Sequence, residues 1–177
     1  MTKRHEDYEV EILDGHGKPI AVKRRKDIDK TKDILHVVYI FVVTPEGKLI
    51  LSRIPRDPTK KNLFAGKLGV TVATIIRHEE KHRDAAKRAA KRELGLKKPD
   101  LTFLGETLEI ITGVPKRLIA AYVCTASEKD IKPNRELSDE LIAVTGKELD
   151  RLIEKRKELA PTLLVFWDKY NASIDEL

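Results

Sequence analysis

Short apolar runs alternate along this chain with densely charged stretches, and the period of each run predicts its element. In YEVEILD (8–14), Val10 and Ile12 alternate against Glu9, Glu11 and Leu13, and GHGK follows as a turn. PIAVKRR (19–25) returns, so residues 8–25 read as a β-hairpin. HVVYIFVVT (36–44) is a continuous β-branched run, the pattern of a strand buried on both faces. After the turn PEGK, LILSRI (49–54) pairs back as a second hairpin.

The Pro- and Gly-bearing stretch 55–69 reads as loop, and VTVATII (70–76) as a strand by β-propensity. A helix over 80–94 follows, with Gly95 supplying a left-handed C-terminal stop. Residues 101–111 and 117–126 form a further hairpin around TGVPK, and 127–140 is loop. LIAVT (141–145) is a short strand, and a helix over 147–158 starts from Thr145 or Gly146. A last helix begins at APTLLVFWDKY, with Pro161 tolerated in its first turn. Hairpins interrupted by single helices describe an α+β protein, or a mixed sheet with helices packed on it, rather than regular βαβ alternation. GxGxxG and Walker A motifs are both absent, which removes dinucleotide-binding and P-loop readings.

Composition narrows this further. A length of 177 residues fits one domain, 1–177, with room for a real core. Aromatics are only 5%, so that core must be mostly Leu, Ile, Val and Ala. Charged residues reach 36%, a solubility signature that is also a tendency of heat-adapted proteins. The net charge of +6 raises affinity for phosphate groups without choosing among RNA, DNA and nucleotides. The lone Cys124 fits a reducing compartment, and no apolar run is long enough to span a membrane. A cytoplasmic location and no membrane partner are expected.

The candidate chemistry centres on RDAAKRAAKREL (83–94). Glu80, Asp84, Arg88 and Arg92 are spaced four apart and would share one helical row, with an Asp84–Arg88 pair worth roughly 0.3–0.5 kcal/mol. Ala85, Ala86, Ala89 and Ala90 make a small-residue stripe suited to close approach to a sheet. By spacing alone this is a solvated amphipathic helix.

Register adds a second reading. From Phe64, FAGKLGVTVATIIRHEEKHRDAAKRAAKRELGL resembles the signature region of the Nudix hydrolase family, in the variety with an isopentenyl-diphosphate-isomerase-like front end. The family box runs Gly, five residues, Glu, seven residues, Arg-Glu-aliphatic, one residue, Glu-Glu, one residue, Gly-aliphatic. Laid without gaps over 74–96, Glu80 takes the first Glu, Arg88 the Arg, Glu93 the last Glu, and Gly95 and Leu96 the closing pair. Phe64, Gly66 and Leu68 match the usual approach to the box. EILDGHGKPIAVKRR, LHVVYIFVVTPEGKLILSR and ELAPTLLVFWDKY resemble the family's N-terminal half and closing helix. The resemblance implies an α/β/α sandwich, a mixed sheet with the box helix and C-terminal helices packed on it. It also implies cleavage of diphosphate-linked substrates with Mg²⁺ or Mn²⁺.

The box is degenerate. Thr74 stands for the Gly and Ala73 for its usual Gly neighbour; Glu79 stands for the Gly before the first Glu, and Lys81 for the Ser/Thr cap. Ala89 and Arg92 replace two of the three helix carboxylates that gather metal in the family, leaving Glu93. Mg²⁺ needs a near-octahedral oxygen shell, which Ala89 cannot extend and which the Arg92 charge opposes. That arginine could instead pair with Glu93-side acceptors or bound phosphate through its planar fork.

The expected function is therefore binding of a nucleotide or other phosphorylated small molecule, with Mg²⁺-dependent hydrolysis weak or lost. The residues implied are Glu80 and Glu93 for catalysis and any metal, and Arg88 and Arg92 for ligand. Two alternatives stand beside it. One is a working hydrolase of nucleoside-diphosphate-linked or isoprenoid-type diphosphates that recruits Glu79, Glu80, Glu93 and Glu136 or Glu140. The other is a non-catalytic RNA- or protein-binding module. Nucleic acid and a second copy of the chain stay open as partners. Glu136, Asp139 and Glu140 otherwise read as a solvated loop, His36, His78 and His82 as surface histidines, and Cys124 as a small core residue. Trp167 and Tyr170 read as packing for the last helix. Lys23, Arg24, Arg25, Lys26, Lys60 and Lys61 form basic clusters on a solvated face or a phosphate-attracting rim.

Overall fold

The computed structural model describes residues 7–56, 63–111, 115–138 and 140–175. Strands β1 (Glu9–Leu13) and β2 (Pro19–Arg24) form the expected first hairpin. Its turn is closed by Asp14, whose carboxylate accepts from the backbone N–H groups of His16 at 2.8 Å and Lys18 at 2.9 Å. The pairing register shifts between Ile12 and Leu13. That irregularity turns Leu13, expected on the polar face, into the core.

The long strand β3 (Ile34–Val43) is the axis of the sheet. One edge pairs parallel with β8 (Arg117–Thr125) along nearly its whole length, from Leu35↔Arg117 to Val43↔Thr125. The other edge is shared antiparallel by β1 at Ile34–Leu35, β6 (Val72–Ile75) at Val37–Ile40, and β4 (Leu49–Arg53) at Val42–Val43. Beyond β8 lies β7 (Leu101–Glu109), and beyond β4 lie β5 (Leu68–Gly69) and β9 (Glu140–Val144). Both faces of β3 are buried, which is why its sequence carries no polar alternation.

Each face has its own core. Val37, Tyr39 and Phe41 pack with Leu163, Phe166 and Tyr170 of helix α3 (Pro161–Asp175) and with Leu149 of α2 (Gly146–Glu154). Val38, Ile40 and Val42 pack with Ala85, Ala86, Ala89 and Ala90 of α1 (His82–Leu94). The alanine stripe lets α1 lie close on the sheet, as its spacing suggests. The result is an α/β/α sandwich around a mixed sheet. Trp167 meets the Phe41 ring edge-on at 5.9 Å, and the Tyr170 hydroxyl lies 2.9 Å from Thr107 Oγ1.

Several boundaries differ from the expectation. Leu68–Gly69, expected as loop, adds a two-residue strand to β4 and buries Leu68. The strand expected over 70–76 starts at Val72, because Thr71 is spent elsewhere. Its hydroxyl accepts from the Val42 N–H at 2.9 Å and donates to the Ile50 carbonyl, bridging β3 and β4 where they part. Helix α2 carries the Thr145–Glu148 capping box and stops at Glu154; Arg156–Glu158 is a separate 3₁₀ turn. Among the described residues, no helix is long and apolar enough to cross a membrane.

Candidate functional site

A left-handed residue precedes helix α1. Glu79 has φ 62°, the only positive φ outside glycine among the described residues. Lys81 then caps α1 in an extended conformation without a side-chain cap bond, so the helix starts at His82 rather than at 80. Glu80 consequently lies ahead of the helix, not on the row of Asp84, Arg88 and Arg92.

That placement redirects Arg88. It does not pair with Asp84; its Nε donates to Glu80 Oε1 at 2.7 Å and its Nη2 to Glu80 Oε2 at 2.8 Å. Nη2 also donates to the Ile75 carbonyl at 3.0 Å, and Nη1 reaches Thr74 Oγ1 at 3.5 Å. Glu80 Oε2 further accepts from the Arg77 N–H at 2.9 Å. Burial raises the Glu80 pKa, but the hydrogen bonds from Arg88 and Arg77 and their charges outweigh it and lower the carboxyl below its ordinary value. The pair clamps the end of β6 to the middle of α1. Both carboxylate oxygens are thereby engaged within the protein.

Near the other end of α1, Arg92 folds onto its neighbour, with Nη2 2.6 Å from Glu93 Oε1. The Glu93 side chain is 14% exposed, and burial raises its pKa against the opposing charges of Arg92 and Arg88. Ala89 is fully buried in the contact between α1 and the sheet. Among the described residues, no three His, Cys, Asp or Glu converge on one point. The donor set does not suit Mg²⁺ or Mn²⁺: Glu80 is consumed by Arg88, Ala89 offers nothing, and a guanidinium neutralises Glu93.

Glu93 opens into a cavity of about 250 Å³ at the fork where β6 and β4 leave β3. Ile54, Phe64 and Leu137 supply apolar wall, while Thr71, Thr162 and Arg117 supply polar groups. Arg117 Nη1 donates to the Tyr39 hydroxyl at 2.6 Å. The sequence reading missed Tyr39, Thr162 and Arg117. No spacing links them, since Arg117 reaches Tyr39 only through the parallel pairing of β3 with β8.

Other singled-out residues are engaged elsewhere. Glu140 accepts from Arg53 at 2.8 Å, and Glu136 sits in the loop with its N–H on Asn134 Oδ1 at 3.0 Å. Asp139, Lys60 and Lys61 lie outside the described residues. His36 pairs with Glu106 at 2.8 Å, His78 with Glu11 at 3.3 Å, and His82 with the Tyr122 hydroxyl at 2.5 Å. The basic run 23–26 is largely compensated: Lys23 pairs with Asp33 at 2.7 Å, Arg24 and Lys26 face Asp7, and Arg25 lies over the Tyr8 ring. Cys124 is buried, which pushes its thiol up to about 11.

No protein-family model and no curated protein matches the sequence. Solved structures do match the fold. DR0079 from Deinococcus radiodurans superposes with a TM-score of 0.69 at 20% identity, covering 86% of this chain and 91% of its own. The MutT protein from Methanosarcina mazei Go1 gives 0.61 at 17%, covering 79% and 94%. RenU, a Nudix hydrolase from M. smegmatis, gives 0.55 at 17%, covering 94% and 95%. With the box helix on one face of the mixed sheet and two helices on the other, the fold of this chain is that of the Nudix hydrolase structures.

Proposed function

We propose that the protein binds a phosphorylated small molecule in the cavity at Glu93, with Mg²⁺-dependent hydrolysis weak or lost. The observation that carries this reading is the 2.6 Å contact between Arg92 and Glu93. A divalent ion held for diphosphate cleavage needs carboxylates that are negative and available. Here the one carboxylate retained near the end of α1 is already neutralised by an internal cation. The same guanidinium, 43% exposed, is a suitable fork for a phosphate.

A nucleotide is the first ligand class. An isoprenoid-type diphosphate is the second, a reading supported by the resemblance of the N-terminal half to the isopentenyl-diphosphate-isomerase-like branch. The deciding experiment pairs calorimetry with turnover, using ADP, ADP-ribose and dimethylallyl diphosphate with and without Mg²⁺ or Mn²⁺. The expected result is binding that needs no metal, with turnover far below ordinary enzyme rates of roughly 1–10³ s⁻¹. Hydrolysis at those rates with Mg²⁺ would overturn the lost-site reading.

A further inference from the structure

Arg117 lines the same cavity as Glu93 and is the one cation among its described lining residues, supplied by an element unrelated to α1. It opens β8, opposite Leu35 on β3 and opposite Glu109 on β7. Among the described residues, its one side-chain hydrogen bond is to the Tyr39 hydroxyl at 2.6 Å. Tyr39 is 2% exposed and packed in the core, so the acceptor that orients Arg117 is itself fixed. Among the described residues, no carboxylate comes within 4.0 Å of the guanidinium.

The acid nearest in register, Glu109, is a weak counter-charge. Burial pushes its carboxyl up to about 7 despite Arg117 and Lys169. An arginine is charged throughout this range and carries five donors, of which one is engaged here. A half-buried cation beside a cavity, without a full counter-ion, gains most from an anion that enters the cavity.

We propose that Arg117, positioned by Tyr39, forms an anion subsite that takes a second oxyanion of the ligand, distinct from the phosphate at Arg92. This rests on reading the cavity as the site of a phosphorylated ligand. It adds that the ligand carries two acidic groups, the second being a carboxylate or another phosphate.

The test is an NMR titration of the full chain, ¹⁵N-labelled at arginine, following the side-chain Nε–H signals with inorganic phosphate and, separately, acetate. Signals are assigned with Arg117→Gln and Arg92→Gln. The expected result is a saturating shift at Arg117, retained in the Arg92→Gln protein. A tenfold weaker response in Tyr39→Phe is expected, because the hydroxyl that orients the guanidinium is gone. Saturation by phosphate alone assigns a second phosphoryl group, and saturation by acetate as well assigns a carboxylate. A response at Arg92 alone overturns the subsite and leaves the proposed function standing. A response at Arg117 alone supports the subsite and counts against the box helix as the phosphate site. No saturating response at either residue overturns both.

Discussion

Arg88 grips Glu80 through two parallel hydrogen bonds, 2.7 and 2.8 Å, that join a helix interior to the loop before it. The Glu80 pKa is lowered in the folded protein, so the pair stabilises above the ordinary value of 4.5 and is lost as pH falls through the folded pKa. Glu80→Gln should cost about 2 kcal/mol at pH 7. That is less than the roughly 3–5 kcal/mol of a wholly buried pair, because the side chains keep 22% and 15% exposure. Denaturant unfolding at pH 7 and pH 3 checks it. The gap between wild type and variant should shrink at the acid end, and a gap independent of pH would exclude the ionic contribution.

Glu79 sits at φ 62°, a conformation that favours glycine. A side chain in that conformation costs roughly 1–2 kcal/mol, partly offset by the greater freedom of glycine in the unfolded chain. Glu79→Gly should therefore raise stability by about 0.5–1 kcal/mol, read as an upward shift in denaturation midpoint. Its side chain is exposed, so no packing is lost. A destabilised variant would mean that the Glu79 carboxylate holds the turn.

Glu79 also marks how much was legible in the sequence. The gapless register placed Glu80, Arg88, Glu93 and Gly95 in order, and the structure brings Glu80, ahead of α1, together with Arg88 in its interior. Periodicity could not reveal that a left-handed residue would hold Glu80 off the helix and turn Arg88 from Asp84 toward it. The strands β3 and β8 were each legible from β-branched runs, but their parallel pairing is long-range and leaves no local mark. Tyr39 and Arg117 meet only through that pairing, so the polar end of the cavity stayed hidden. Leu13 was misplaced for a smaller reason: one irregularity in pairing reverses the side-chain alternation.

Glu109 couples stability to pH in the opposite direction to Glu80. Burial raises its folded pKa to about 7 from the ordinary 4.5, so the folded state holds a proton that the unfolded state releases between these values. Stability should fall as pH rises through that window, by about 3 kcal/mol in all. Glu109→Gln removes the titration, so this variant should gain on wild type between pH 5 and pH 8. Urea unfolding at both pH values measures the difference. Parallel pH profiles for the two proteins would place the proton elsewhere.

The position of Arg92 can be tested by reversing its charge. Arg92→Glu removes the cation that holds down the Glu93 pKa and sets a second carboxylate beside a mostly buried one. Without divalent ions the variant should be less stable than wild type, by about 1 kcal/mol at pH 8, and the deficit should narrow at pH 5 as the acids protonate. With Mn²⁺ the loss should be recovered, since an ion that binds only the folded state adds about 2.7 kcal/mol at a hundredfold excess over its Kd. The wild-type melting temperature should stay flat over the same titration. An equal Mn²⁺ response in both proteins would show that Arg92 does not obstruct an ion. The companion change Ala89→Glu is not equivalent. Ala89 is fully buried between α1 and the sheet, and a carboxylate forced there should cost roughly 3–5 kcal/mol. Of positions 89 and 92, only 92 should accept a carboxylate in a protein that still folds.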